Sequence, residues 1–130
     1  MRKTAILFAI GSLLVGGCGS CNPNAVRKPI AADELAALIE SGSSPLVLDV
    51  RTRDEFAQGH IPGAINIPHD ELSSRLSELP LSKSGEIVVH CQSGRRAQLA
   101  EQALVEVGYS NVRDLVGHWQ GWLASELPTD

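Results

Sequence analysis

Apolar residues along this chain follow two alternating patterns. Short apolar runs of the kind found in strands buried on both faces occur at Leu46–Val50, 64–67, 87–89 and 111–116. Between and around these runs, apolar residues recur at helical spacing, and the predicted helices begin near Asp33, near Thr52, at Asp70, after residue 94 and near Trp119. The alternation predicts an α/β domain with a small, largely parallel sheet of about five strands and helices on both faces.

Local signals mark the ends of several predicted helices. Thr52 and Glu55 have the spacing of a capping box at the start of a short helix. Asp70 is positioned to cap a further helix, which Pro80 would end. The apolar positions of that helix follow at i, i+4 and i+7, namely Leu72, Leu76 and Leu79.

The first residues resemble an export signal. A basic head, Arg2-Lys3, precedes an apolar run at residues 5–15, which is shorter than the roughly 20 residues that a membrane-spanning helix needs. The following Val15-Gly16-Gly17-Cys18 resembles the lipobox of bacterial lipoproteins. The resemblance implies cleavage before Cys18 and lipid attachment to its sulfur, whereas the alternative is ordinary cleavage that leaves a soluble product.

These observations divide the chain into three parts. Residues 1–17 are expected to be a signal peptide that is removed, residues 18–29 a lipidated N-terminus with a flexible tether, and residues 30–130 the globular domain. The lipobox resemblance implies an exported protein, lipid-anchored to the cell envelope and facing the periplasm or the cell surface. The membrane would then be a partner through the lipid anchor.

Charge and cysteine content narrow the classes of function. The chain has 11 Lys+Arg against 15 Asp+Glu, a net charge of −4, and loss of Arg2 and Lys3 with the signal would make it −6. An acidic domain with few aromatic residues and no basic run argues against a nucleic-acid partner. No spacing typical of a zinc site lies in the globular part, so no metal or cofactor is expected. Cys91 has no partner cysteine there and is therefore of interest as a free thiol.

The chemistry centres on the segment His90-Cys91-Gln92-Ser93-Gly94-Arg95-Arg96, which lies between a predicted strand and a predicted helix. Loop N–H groups and a helix N-terminus direct positive charge towards such a position. Cys91 is therefore expected to exist largely as a thiolate nucleophile. Backbone N–H groups of Gln92, Ser93, Gly94, Arg95 and Arg96 are expected to surround its sulfur and form the substrate-binding or persulfide-binding loop. Arg95 is expected to face solvent and attract anions.

Three segments together resemble the rhodanese homology domain. They are 48–52 (Leu-Asp-Val-Arg-Thr), 59–68 (Gly-His-Ile-Pro-Gly-Ala-Ile-Asn-Ile-Pro) and the Cys91 loop. A closing segment, Leu115-Val116-Gly117 with Trp122, is similar to the Gly-Gly…Ala-Trp segment of that family, but has His118 at the second glycine and Gly121 at the alanine. The resemblance covers about residues 30–128 and implies a catalytic cysteine that carries sulfur as a persulfide.

The resemblance also implies roles for other residues. Arg96 matches the arginine that closes the loop, while Asp49, Arg51 and His60 are interpreted as structural supports near the site. His118 and Trp119 are candidates for the mouth of the pocket. The implied reaction moves sulfane sulfur from thiosulfate, or a related small anionic donor, to cyanide or a thiol. The cysteine loop matches neither the thiosulfate form nor the mercaptopyruvate form of the family, so the substrate stays open.

Two other functions also use a reactive cysteine of this kind. A cysteine phosphatase or arsenate reductase uses five residues between cysteine and arginine, but four separate Cys91 from Arg96. The shorter loop favours one sulfur atom over a tetrahedral oxyanion. A membrane-tethered persulfide carrier or thiol-redox module is the second possibility, with Cys21 as acceptor or disulfide partner.

Overall fold

A computed structural model describes residues 26–79 and 82–130. Five strands form one parallel sheet: β1 (Val26–Ile30), β2 (Leu46–Asp49), β3 (Ile65–Asn66), β4 (Ile87–His90) and β5 (Val112–Leu115). Their spatial order is β1-β5-β4-β2-β3. Four helices accompany them: α1 (Ala32–Glu40), α2 (Arg53–Ala57), α3 (Arg95–Glu106) and α4 (His118–Ala124). The predicted α/β class, with helices on both faces of a small parallel sheet, is confirmed.

Apolar residues pack on both faces of the sheet because neighbouring strand residues point to opposite sides. On one face, Val89 and Leu48 pack with Ala100 and Leu104 of α3. On the other, Val88 and Val47 pack with residues of α1 and α4: Leu35, Trp119 and Trp122. The central strand β4 is buried along its whole length. Because β4 is packed on both faces, the position of Cys91, which follows it directly, is well defined.

The register brings polar side chains together at the carboxyl ends of three strands. Asp49 at the end of β2 lies opposite His90 at the end of β4 and opposite Asn66 at the end of β3. In parallel sheets the ligand site lies outside this edge. Cys91 follows β4 directly at the same edge, so the fold places the predicted nucleophile where such sites occur.

The sheet begins earlier than the sequence suggests. The sequence predicts that residues 26–29 belong to the tether, but in the structure they form part of β1, which pairs with β5 through Val26–Val112 and Arg27–Arg113. Four of the five β1 residues are exposed, so the strand has no apolar pattern and is held by backbone pairing at the sheet edge. The predicted signal peptide, the predicted lipidation site Cys18 and the Cys21 hypothesis concern residues outside the described part.

The predicted helix from Asp70 is wrong. Two separate 3₁₀ turns, Leu72–Ser74 and Leu76–Glu78, take its place, and Arg75 between them has φ −121°. The hydroxyl of Ser74 donates to the carbonyl of Glu71, a local hydrogen bond that competes with helix formation. Leu72 and Leu79 are nevertheless buried. The apolar spacing therefore predicts the burial of these residues correctly, although it does not produce a continuous helix.

Within residues 26–79 and 82–130, none of the helices has the length and apolar character needed to cross a membrane.

Candidate active site

Cys91 lies between β4 and α3, in a loop whose backbone faces its sulfur. The N–H of Gly94 donates a hydrogen bond to Sγ, with 3.0 Å between nitrogen and sulfur. Gly94 has φ +129°, a conformation that side chains rarely allow. Cys91 is buried, with 2% of its surface exposed. The predicted strand–loop–helix arrangement around this thiol is present.

The sulfur contacts fewer loop N–H groups than expected. Among the described residues, Gly94 is the one backbone donor to Sγ, whereas N–H groups from all five loop residues were expected there. Helix α3 starts at Arg95, and its first intrahelical bond runs from Gln98 to the carbonyl of Gly94. The N–H groups of Arg95 and Arg96 therefore belong to the first turn, which has no intrahelical acceptors. They are available at the helix N-terminus for an additional negative atom.

Arg96 ties the loop to helix α2. Its Nη1 and Nη2 lie 2.8 and 3.2 Å from the two carboxylate oxygens of Glu55. The Arg96 hydrogen bond holds the pKa of the Glu55 carboxyl below its usual value. Glu55 also accepts the N–H of Thr52, while its own N–H donates to the Thr52 hydroxyl, which confirms the predicted capping box. The sequence pattern identified Glu55 as a cap and missed its second role as the partner of Arg96.

Asp49 and Arg51 form a buried ion pair beside the loop. Nε of Arg51 lies 3.0 Å from both oxygens of Asp49, and Nη2 lies 2.6 Å from Oδ2. The same Nη2 donates to the carbonyl of Gly59 at 2.8 Å, and the guanidinium stacks 4.5 Å from the ring centre of Trp119. Arg51 thus connects β2, the loop after α2 and α4, which is the geometry of a structural support.

Two of the histidines occupy structural positions. Nδ1 of His60 lies 3.0 Å from the carbonyl of Phe56, and its ring stacks on the Phe56 ring at 3.8 Å. His90 is fully buried, with Nε2 3.6 Å from Asp49, and burial lowers its pKa. Neither ring contacts the Cys91 sulfur. The geometry of His60 matches the hydrogen-bonded turn residue that the sequence suggests.

Helix α4 contacts the cysteine loop through its first residues. The N–H of Trp119 donates to the carbonyl of Cys91 at 3.0 Å, and the N–H of Gln120 donates to that of Gln92 at 3.3 Å. Nδ1 of His118 accepts the N–H of Cys91 at 3.3 Å. The loop is therefore held from three sides, by β4, by the Arg96–Glu55 pair and by α4.

A pocket of about 320 Å³ opens next to this loop. Its lining residues come from the loop, from α4, from the α2 region and from the C-terminal segment: Arg51, Glu55, Gln58, Gly59, Gln92, Trp119, Leu123 and Thr129. Trp119 lines the pocket as proposed from the sequence, whereas His118 lies behind the loop. Arg95 is exposed, as expected.

Two neighbouring carboxyls behind the loop, buried Glu101 and partly exposed Asp114, are not indicated by any sequence motif. Burial, together with the neighbouring Asp114 carboxyl on β5, raises the pKa of Glu101 on α3 to about 8. Although burial opposes it, hydrogen bonds from His118 and Glu101 keep the pKa of Asp114 below its usual value. Glu101 falls on the buried face of α3, which is the one signal in the sequence that could have singled it out.

The rhodanese-like domain family matches residues 31–125 of this chain. The chain belongs to that family. It is 37% identical over 117 residues to thiosulfate sulfurtransferase 16, chloroplastic, of Arabidopsis thaliana, covering 82% of this chain and 92% of that protein. It is also 37% identical over 109 residues to the thiosulfate:glutathione sulfurtransferase of Homo sapiens, covering 75% and 94%.

Solved structures agree with this assignment to the rhodanese-like family. The crystal structure of the Alr3790 protein from Anabaena sp. superposes with a TM-score of 0.71 at 32% identity, covering 78% of this chain and 81% of that one. The relatives named as sulfurtransferases support a rhodanese-type sulfurtransferase. They leave the sulfur donor and acceptor of this chain open.

Proposed function

We propose that this rhodanese-like domain moves sulfane sulfur from thiosulfate, or a related small anionic donor, to cyanide or a thiol through a persulfide on Cys91. The observation that carries the proposal is the sulfur of Cys91 at the end of β4, with the Gly94 N–H directed at it. The N-terminus of α3 lies beside it with uncompensated N–H groups. This arrangement suits a thiolate that gains one more sulfur atom.

The first step is a displacement at sulfur. The Cys91 thiolate attacks the outer sulfur of thiosulfate, a bond forms between the two sulfur atoms, and the S–S bond of thiosulfate breaks. Sulfite leaves with the electron pair, as a thiolate does in thiol–disulfide exchange. The persulfide that results carries its negative charge on the outer sulfur, where the N–H groups of Arg95 and Arg96 supply hydrogen-bond donors.

The second step returns the free enzyme. Cyanide carbon or an acceptor thiolate attacks the outer sulfur, the bond between the two sulfur atoms breaks, and the Cys91 thiolate leaves with the electron pair. The products are thiocyanate or the persulfide of the acceptor. Trp119 and Leu123 give the adjacent pocket apolar walls, and Arg51 with Gln58 and Gln92 gives it polar ones. A small thiol is a suitable occupant of such a space.

Intact mass spectrometry tests the proposal directly. After incubation with thiosulfate, the wild-type protein should gain one sulfur atom, and cyanide should remove it. Cys91→Ser should show neither change, and Arg95→Ala provides a folded control that retains the thiol. If the wild-type protein gains no sulfur from thiosulfate or from an organic persulfide, the proposed function is wrong.

The phosphatase alternative has less support. A phosphatase arginine must present its guanidinium to an oxyanion inside the loop, whereas the guanidinium of Arg96 is paired with both oxygens of Glu55. Hydrolysis of p-nitrophenyl phosphate by wild type but not by Cys91→Ser would favour the phosphatase. The persulfide-carrier alternative predicts sulfur uptake without turnover to small acceptors. Cys21→Ser tests its specific form, because unchanged turnover and an unchanged free-thiol count would remove Cys21 as acceptor or disulfide partner.

We also propose that the protein is exported and anchored by lipid on Cys18. The support is the sequence alone, a basic head and an apolar run before Val15-Gly16-Gly17-Cys18. Metabolic labelling of the full chain in a bacterial host with a clickable palmitate should mark wild type and not Cys18→Ser. Labelling of both, or of neither, would contradict the anchor.

A further inference from the structure

The side chain of His118 occupies an unusual place directly behind the Cys91 loop. His118 is buried and has φ +53°, in the left-handed region that favours glycine. Glu126, with φ +52°, is the other described non-glycine residue in that region. A strained backbone that persists in a folded protein often marks a position where the side chain has a task. The structure indicates what that task is.

One ring nitrogen of His118 holds the backbone of the nucleophile. Nδ1 accepts the N–H of Cys91 at 3.3 Å. Because Nδ1 is an acceptor, the ring proton lies on Nε2. Nε2 lies 3.5 Å from Oδ2 of Asp114, which orients the ring from the other side. The ring is therefore held between the N–H of Cys91 on one side and Asp114 of β5 on the other.

The other edge of the ring packs against the residue that donates to the sulfur. A Cβ atom added to Gly94 would lie 3.0 Å from Nε2 of His118, closer than side-chain atoms normally approach. The ring therefore fills the space beside Gly94 in which a side chain would otherwise lie, and the N–H of Gly94 lies 3.0 Å from Sγ. His118 thus accepts a hydrogen bond from the start of the loop at Cys91 and occupies the space beside Gly94, whose N–H donates to the sulfur.

We propose that His118 is a positioning residue that fixes the Cys91 N–H and the Gly94 backbone so that the Gly94 N–H stays directed at the sulfur. The proposal rests on the proposed function of Cys91 as the sulfur carrier. It explains why an imidazole is kept at a strained position where glycine would adopt the backbone freely. The effect on reaction is indirect, through the cysteine loop, because His118 itself does not line the pocket.

Three substitutions of His118 separate a positioning role from simple filling of space. His118→Gly removes the acceptor and relieves the backbone strain, so the variant is expected to fold. His118→Asn places an amide oxygen where Nδ1 lies and tolerates positive φ better than other residues. His118→Gln, whose amide lies near the Nε2 position, is the second variant without an acceptor for the Cys91 N–H. Glu126→Gly is the matched control for strain relief at a positive-φ position outside the loop.

The experiment measures two rates on the full chain by peptide mass spectrometry at Cys91. One is alkylation of the thiol by iodoacetamide, and the other is single-turnover sulfur uptake from thiosulfate. We expect both rates to fall at least about tenfold in His118→Gly, since loss of one aimed donor costs about 10²-fold in comparable sites. His118→Asn should stay within about threefold of wild type, His118→Gln should resemble the glycine variant, and added imidazole should accelerate His118→Gly alone.

Three results would overturn the proposal. They are wild-type rates in His118→Gly, an asparagine variant as slow as the glycine variant, or an equal imidazole response in Glu126→Gly. Thermal melting of each variant shows that the compared proteins are folded. If the wild-type protein takes up no sulfur, the proposed function fails, while the order of the alkylation rates still decides the role of His118.

Discussion

Buried Glu101 and its neighbour Asp114, behind the site, predict an unusual dependence of stability on pH. Glu101 is 8% exposed, and burial with the Asp114 hydrogen bond raises its pKa from 4.5 to about 8. Between these values the folded protein holds a proton that the unfolded chain has released. The contribution of Glu101 to the free energy of unfolding therefore falls as pH rises through this window, and that contribution is constant on either side. Asp114 contributes no slope there, because its pKa is low in both states.

The size of the effect follows from the shift. Each unit of pKa difference is worth about 1.4 kcal/mol, so the Glu101 shift sets an upper bound of about 5 kcal/mol on the loss. The Asp114 side chain is 32% exposed, and solvent screens the interaction between the two carboxyls. We therefore expect wild type to lose about 2 kcal/mol between pH 5 and pH 8.5 through this group. Glu101→Gln keeps an N–H donor for Asp114 but cannot ionise, so it should not show this loss.

Urea unfolding at half-unit steps from pH 5 to pH 8.5 measures the difference. As pH rises, the free energy of unfolding of Glu101→Gln should increase by about 2 kcal/mol relative to that of wild type. Glu106→Gln, an exposed glutamate of the same helix, should run parallel to wild type. Parallel curves for Glu101→Gln and wild type would show that Glu101 is ionised in the folded protein, and the reasoning would fail.

Three further substitutions test the supports of the loop. Arg51→Lys should lower the free energy of unfolding, measured with a chemical denaturant, by about 3 kcal/mol, because one ammonium cannot replace the two guanidinium nitrogens that donate to buried Asp49. A loss below about 1 kcal/mol would contradict this. Gly94→Ala should slow sulfur uptake by about 10²-fold, because its methyl meets His118 at 3.0 Å and φ is +129°; an unchanged rate would refute the geometry. Arg96→Lys should slow sulfur uptake about tenfold, whereas Arg95→Lys should leave it unchanged, since Arg96 is the one of the two that pairs with Glu55. Equal effects of the two substitutions would show that the Arg96–Glu55 pair has no special role in uptake.

Much of the fold was predictable because short-range signals agree with one another. The apolar runs at β2 and β4 are buried strands, and the Thr52–Glu55 spacing is a capping box in the structure. Such features depend on residues within one or two turns, so they can be recognised without knowing what packs against them. The place of Cys91 after β4 follows from the same pattern, and with it the location of the candidate site.

Other features could not be recognised in this way. Residues 26–29 have no apolar pattern and form a strand because β5 offers an unpaired edge. The segment after Asp70 has helical apolar spacing, yet local serine hydrogen bonding and the bend at Arg75 divide it into two turns. In the first case the decisive partner, β5, is distant in sequence. In the second case the serine hydrogen bond and the bend leave no mark on the spacing of apolar residues.

The sequence alone was sufficient to recognise the rhodanese-like family, four of the five strands of the described sheet, and a cysteine placed directly after a buried strand. Those features arise from periodicity and motif spacing, which are local properties of the chain. Three other features become visible only in the folded chain: Arg96 pairs with Glu55, His118 accepts the Cys91 N–H, and Glu101 and Asp114 are neighbours. The physical reason is that hydrogen bonds and ion pairs act over a few ångströms, and the folded sheet brings together groups that the sequence separates by 13 to 41 positions.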